Sequence, residues 1–228
     1  WTTDFADIDN DGDFDCLATN HRSTIKLLEN VGTGYFTDIT AGSGLVVSGF
    51  FLQAKMDDFD NDGFVDLIYT GGADGFFRNN GDMTFTEVPN VFPWNDTMHS
   101  FATGDVNRDG QIDLYASYGT SYVSPDNGND DVLWINNGNP GQHWITFELE
   151  GFQSNRDAVG ATVEITGTFG TQVRSVRAGE SYGMTSTFSC HFGLGTADAV
   201  ETATVFWPSG LTTELAAPAI DQYHTVLE

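Results

Sequence analysis

Apolar positions along this chain fall in short runs rather than at the three-and-four spacing of an amphipathic helix, and the runs are rich in strand-forming residues. Cys16-Leu-Ala, Leu67-Ile-Tyr and Leu114-Tyr-Ala each follow an acidic stretch and predict strands. Further on, Lys26-Leu-Leu-Glu-Asn-Val-Gly is followed by Gly34-Tyr-Phe-Thr-Asp, and Phe76-Phe-Arg-Asn-Asn-Gly by Met83-Thr-Phe-Thr-Glu, so an Asn/Gly turn joins two strands as a hairpin. Val132-Leu-Trp-Ile-Asn-Asn-Gly repeats the first half of that pattern. Each unit reads as loop, strand, strand, turn, strand. From about residue 142 the register changes. His143-Trp-Ile-Thr-Phe-Glu-Leu-Glu, Ala161-Thr-Val-Glu-Ile-Thr, Gln172-Val-Arg-Ser-Val-Arg, Thr202-Ala-Thr-Val-Phe-Trp and Tyr223-His-Thr-Val-Leu predict a small all-β domain, read as a sandwich.

The acidic stretches share one spacing: Asp7 to Asp15, Asp58 to Asp66, and Asp105 to Asp113. Side-chain oxygens stand at loop positions 1, 3, 5 and 9, with glycine at position 6 for a sharp turn. That set suits a hard cation with six to eight oxygen ligands, so calcium is the expected cofactor, about three ions. The candidate ligands are Asp7, Asp9, Asp11 and Asp15; Asp58, Asp60, Asp62 and Asp66; Asp105, Asn107, Asp109 and Asp113. A helical calcium hand would need a bidentate Glu at position 12, where Ala18, Tyr69 and Ala116 stand. One such loop alone is an ordinary Asp/Asn/Gly turn; three copies that keep the position 9 acid favour metal. The third, with Asn107 for an acid and Arg108 beside it, is expected to be the weakest site.

The loops begin at residues 7, 58 and 105, so the period is 51 and then 47 residues, a spacing that points to propeller blades or a similar β array. Charge agrees with a division into two units. The net charge is -25, and residues 1–141 carry 23 acids and 5 bases against 10 and 3 in residues 142–228. Such an acidic balance argues against nucleic acid and anionic membranes as partners. No run of about twenty apolar residues is present, so no membrane-spanning helix is expected. Calcium loops are common in extracellular modules, and the expected location is outside the cell. Cys16 and Cys190 allow a disulfide between the units, a bridge between chains, or two buried thiols. The chain opens at Trp1 inside what reads as a repeat, which leads us to expect a piece of a longer protein.

The acidic loop, the apolar strand and the following Leu-x-x-Asn-x-Gly hairpin together resemble the FG-GAP/VCBS repeat, which builds calcium-binding blades of β-propellers such as the integrin α-subunit head. That resemblance implies that position 7 lends its backbone carbonyl, here Asp13, Phe64 and Gln111. Downstream, Ser154-Asn155-Arg156-Asp157-Ala-Val-Gly160, His191-Phe-Gly193-Leu-Gly195 and Trp207-Pro208-Ser-Gly210 are similar to the ASPIC/UnbV domain, which commonly follows such repeats in cartilage acidic protein-like and bacterial secreted proteins. Neither resemblance implies a reaction. The expected architecture is all-β: a partial propeller of three blades (about 1–50, 51–98 and 99–141), then a sandwich-like domain over 142–228.

Other residues give weaker signals. Ser189, His191 and Asp198 could be imagined as a hydrolytic set, but no nucleophile motif accompanies them. Asn155-Arg156-Asp157 reads as a turn held by an Arg-Asp pair. Trp94, Trp134, Trp144 and Trp207 read as packing rather than a carbohydrate platform. Asn95 heads the one glycosylation sequon. The function expected is a secreted, calcium-stabilised binding, adhesion or structural module without catalysis, recognising a protein or glycan at the cell surface or matrix. Three blades leave sheet edges open, so further blades in a longer precursor, or a homo-oligomer or filament, are expected to cover them. The alternative is an enzyme on a propeller scaffold, a polysaccharide lyase or hydrolase.

Overall fold

The computed structural model describes residues 2–22, 24–32, 34–93, 97–120 and 128–228. Among them there is no helix. Among the described residues eighteen strands form five sheets in a propeller-type arrangement, where the sequence predicts three blades and one further domain. Sheet 1 holds β1 (Thr3–Ala6), β2 (Asp15–Ala18), β3 (Lys26–Asn30) and β4 (Phe36–Asp38) in sequence order. Sheet 2 repeats that order with β5 (Phe51–Asp57), β6 (Asp66–Gly71), β7 (Gly75–Asn79) and β8 (Phe85–Val88). Sheet 3 has β9 (Thr97–Gly104), β10 (Asp113–Gly119) and β11 (Val132–Trp134).

The order of parts within each unit also needs correcting. Each acidic loop follows a strand and turns back into the next strand of the same sheet, pairing Ala6 with Asp15, Asp57 with Asp66, and Gly104 with Asp113. The unit is therefore strand, loop, strand and hairpin. Its first strand is hard to see in sequence because sheet 1 offers only Thr-Asp-Phe-Ala there.

Strand alternation explains why the sheets stack. All six residues of β6 are buried, since its side chains point to both faces in turn. Leu67 and Tyr69 join Ala6, Ile8, Leu17 and Leu27 in the core between sheets 1 and 2. Ile68 points the other way, into the core of Phe59, Met98, Phe101, Leu114 and Ala116 between sheets 2 and 3.

The last third of the chain makes two more sheets. Sheet 4 places β12 (His143–Glu150) between β15 (Cys190–Gly195) and β18 (Tyr223–Leu227), the latter pair running parallel. Sheet 5 runs β14 (Gly170–Ser175), β13 (Thr162–Gly167), β16 (Thr202–Phe206) and β17 (Thr212–Ala216). Residues from both sheets, among them Ile145, Phe147, Val163, Phe192, Val205 and Val226, form one apolar cluster.

Cys16 and Cys190 are free thiols, each buried, so the possible disulfide is not formed. They sit on β2 of sheet 1 and β15 of sheet 4, each within its own sheet, and burial pushes the Cys190 thiol up to about 12. The turn at Asn155 is held differently from the expectation: the Asn155 side chain bonds both the N–H and the carbonyl of Val159, while Arg156 faces Glu150 at 3.6 Å. Trp144 and Trp207 are buried and Trp134 packs against the core of sheets 2 and 3; Trp94 and Asn95 lie outside the described residues.

Candidate metal centre

The three loops are held by one hydrogen-bond pattern. The position 1 carboxylate accepts the N–H of the position 6 glycine: Gly12 to Asp7 at 3.1 Å, Gly63 to Asp58 at 2.9 Å, Gly110 to Asp105 at 2.7 Å. The position 5 carboxylate accepts the N–H of position 7, from Asp13, Phe64 and Gln111. These bonds curl the backbone so that its carboxylates face inward. The glycine is required, because φ at Gly12, Gly63 and Gly110 lies between +84° and +99°.

Position 9 is a clip. One oxygen of Asp15, Asp66 or Asp113 accepts the N–H of loop position 2 (Ile8, Phe59, Val106), and the other accepts the N–H of the hairpin asparagine (Asn30, Asn79, Asn136). A carboxylate has about four lone-pair sites, so each retains acceptor capacity after two such bonds.

Oxygens of Asp7, Asp9 and Asp15 lie within 4.8 Å of one another, and those of Asp58, Asp60 and Asp66 do the same. Asp11, Asp13 and Asp62 fall outside these triads. In the third loop the Asn107 amide donates to Asp109 at 2.8 Å, the Tyr223 hydroxyl donates to Asp105 at 2.7 Å, and no carboxylate triad forms.

The donor set fits a hard cation. Its ligands are all oxygens, Asp7, Asp58, Asp15 and Asp66 are fully or nearly fully buried, and Asp58 Oδ1 has no hydrogen-bond partner. Burial pushes the Asp58 carboxyl up to about 8, opposed by the Arg174 guanidinium, and pushes Asp15 up to about 7. Burial likewise takes Asp7 to about 6, again opposed by Arg174, and holds Asp66 well above the usual range. Such groups are electrostatically short of positive charge.

The second and third acidic loops are roofed by residues of sheets 4 and 5. A methyl group added at Gly193 on β15 would collide with the Asp58 carboxylate and the Asn61 backbone, and one added at Gly110 would enter the Trp144 ring. His191 uses one ring nitrogen on this contact, with Asn61 Oδ1 at 2.6 Å, and the other on Thr146 of its own sheet at 2.8 Å. Ser189 Oγ meets Thr187 Oγ1 rather than His191, so the imagined hydrolytic set is not assembled. Over the third loop, Arg108 pairs with Glu148 and lies 3.8 Å from the Tyr223 ring centre. A second fastening is ionic: Lys55 meets Glu180 at 2.9 Å, and Arg177 meets both Asp4 at 3.2 Å and Glu180 at 3.3 Å. Trp144 is expected from sequence to pack, and His191 and Gly193 stand out there only through the domain resemblance; that they cover the acidic loops has no local signature.

Two family models match the chain: an FG-GAP-like repeat over residues 7–69 and 58–116, and "ASPIC and UnbV" over residues 151–228. No curated protein matches it.

Proposed function

We propose that this chain, which is built of FG-GAP-like repeats and an ASPIC/UnbV domain, is a non-catalytic binding, adhesion or structural module that works outside the cell and is stabilised by calcium. The observation that carries the reading is the pair of largely buried carboxylate triads, Asp7/Asp9/Asp15 and Asp58/Asp60/Asp66, the second of them lying under the roof made by sheets 4 and 5. When bound, calcium supplies to each triad the positive charge that burial denies it. Asp7, Asp9 and Asp15 would hold one ion with the Asp13 carbonyl, and Asp58, Asp60 and Asp66 a second with that of Phe64. The third loop, from Asp105 to Asp113, keeps the weakest site in this reading, because Tyr223 and Asn107 already occupy its oxygens.

We read residues 1–141 as the loop-bearing unit and residues 142–228 as a sandwich of sheets 4 and 5 facing each other across one core. The partner would be a protein or glycan of the cell surface or matrix, since a surface this acidic repels nucleic acid and anionic lipid. Melting the chain in chelator and in millimolar calcium tests the proposal. The expected result is a rise of 10 °C or more with calcium, which is about 3–5 kcal/mol for a chain of this size. Equal melting temperatures would overturn the calcium reading.

A further inference from the structure

The joints between neighbouring loop-bearing sheets repeat, and one half of such a joint is open at each end of the series. Between sheets 1 and 2, Asn10 at loop position 4 donates to the Gly63 carbonyl at 3.1 Å, and the hairpin residue Asn79 donates back to the Ile8 carbonyl at 2.9 Å. Between sheets 2 and 3, Asn61 donates to the Gly110 carbonyl at 2.8 Å, and Asn136 to the Phe59 carbonyl at 2.6 Å. Asn30 is the equivalent hairpin residue of sheet 1. Its amide reaches only the Phe14 carbonyl within its own sheet, at 3.4 Å, and no carbonyl across a joint.

The apolar positions repeat as well. On sheet 2 the face turned to sheet 1 is Met56, Leu67, Phe77 and Phe85, all buried. By strand register the same places on sheet 1 are Phe5, Cys16, Leu28 and Phe36. Here Phe5 and Phe36 are 39% and 44% exposed, their rings 6.5 Å apart; Phe5 borders a cavity shared with Ser175 and Arg177, and Phe36 lies beyond it on the outer strand β4. What covers such a face elsewhere is known from sheet 1 itself, which offers Ile8, Leu17 and Leu27 to sheet 2. The equivalents on sheet 3 are Val106, Tyr115 and Leu133, exposed by 57%, 51% and 46%.

We infer that the open face of sheet 1 takes the open face of sheet 3 from a second copy of this chain, so that copies join head to tail. Phe5 and Phe36 of one copy pack on Val106, Tyr115 and Leu133 of the next, and Asn30 donates to the Val106 carbonyl. One internal bond is not reproduced, because position 4 of the third loop is Arg108, held by Glu148. The contact is therefore weaker than the two internal joints and depends on concentration. Being heterologous, it closes into a ring or runs on as a filament. The inference rests on sheet register rather than on calcium.

Light scattering and sedimentation over a wide concentration range, in calcium, test it. The expected result is a mass that rises to two copies or more. Phe36→Lys and Leu133→Lys, both at exposed sites, should each leave a monomer with an unchanged melting curve. Mixed together, the two variants should give a dimer that grows no further, since each keeps the face the other has lost. Asn30→Ala should weaken assembly about tenfold, the loss of one hydrogen bond. A monomer at all concentrations, assembly that survives either charge substitution, or a mixture that stays monomeric would overturn the proposal.

Discussion

Asp58 shows how one side chain carries two opposed demands. Without a cation, burial raises its carboxyl to about 8, so near neutral pH it is largely protonated. Asp58→Asn should therefore change the melting temperature in chelator by no more than a few degrees, yet remove a large part of the rise with calcium. A full calcium response in that variant would show that the second triad binds no ion. The same acids set a pH dependence. An aspartate in the unfolded chain titrates near 3.8, whereas Asp7, Asp15 and Asp58 titrate at about 6, 7 and 8 in the metal-free fold. Their contribution to stability is complete below the unfolded value and is lost as pH rises through the folded ones. In chelator, the melting temperature should fall between about pH 4 and pH 8, whereas calcium, which binds the ionised form, should reduce or reverse the fall. Scanning calorimetry across that range checks the sign. Gly193 makes the complementary point about space: Gly193→Ala should destabilise by about 2 kcal/mol in chemical denaturation, because neither the Asp58 carboxylate nor the Asn61 backbone can move away.

At the scale of elements, the asparagines of the hairpins separate what sequence made legible from what it did not. The loops, the strands after them and the Asn/Gly turns were visible because each has its own local chemistry: alternating acids, apolar runs, and residues that accept positive φ. The strand before each loop was not, since Thr3–Ala6 has no distinctive pattern and is recognised only by its pairing with Asp15–Ala18. Nor did sequence show that Asn79 reaches a carbonyl 71 residues away, because a long-range bond leaves no mark on local spacing. Both carbonyls that Asn79 bonds would lose their donor in Asn79→Ala. A loss of about 2–3 kcal/mol is expected there, against less than about 1 kcal/mol for Asn30→Ala in the monomer. Equal losses at the two positions would show that the cross-sheet bond contributes little.

For the molecule as a whole, the roof over the loops was the least legible part. Trp144, His191, Gly193 and Arg174 belong to segments that predict ordinary strands, and only the folded chain brings them against loops that begin from about forty to well over a hundred residues earlier. The buried ionic group of Asp4, Lys55, Arg177 and Glu180 fastens sheet 1, sheet 2 and the segment after β14 at one point. Lys55→Met should cost about 3–5 kcal/mol, since it leaves Asp4 and Glu180 buried with one cation fewer between them. Hydrogen exchange should show the loss in residues 176–191 and in β5 together; a change confined to β5 would mean that this group does not join the units.

The asparagine joint between sheets has a consequence for descent. Each stretch of about fifty residues contains both halves of its own connection, a donor for one neighbour and a carbonyl for the other. Copying such a stretch in the gene would lengthen the series by one working member with no new contact to invent, and deleting one would shorten it as cleanly. The Arg108 that stands where Asn10 and Asn61 stand in earlier copies then marks the last such member within one chain: its side chain goes to Glu148 instead of to the carbonyl of a further sheet.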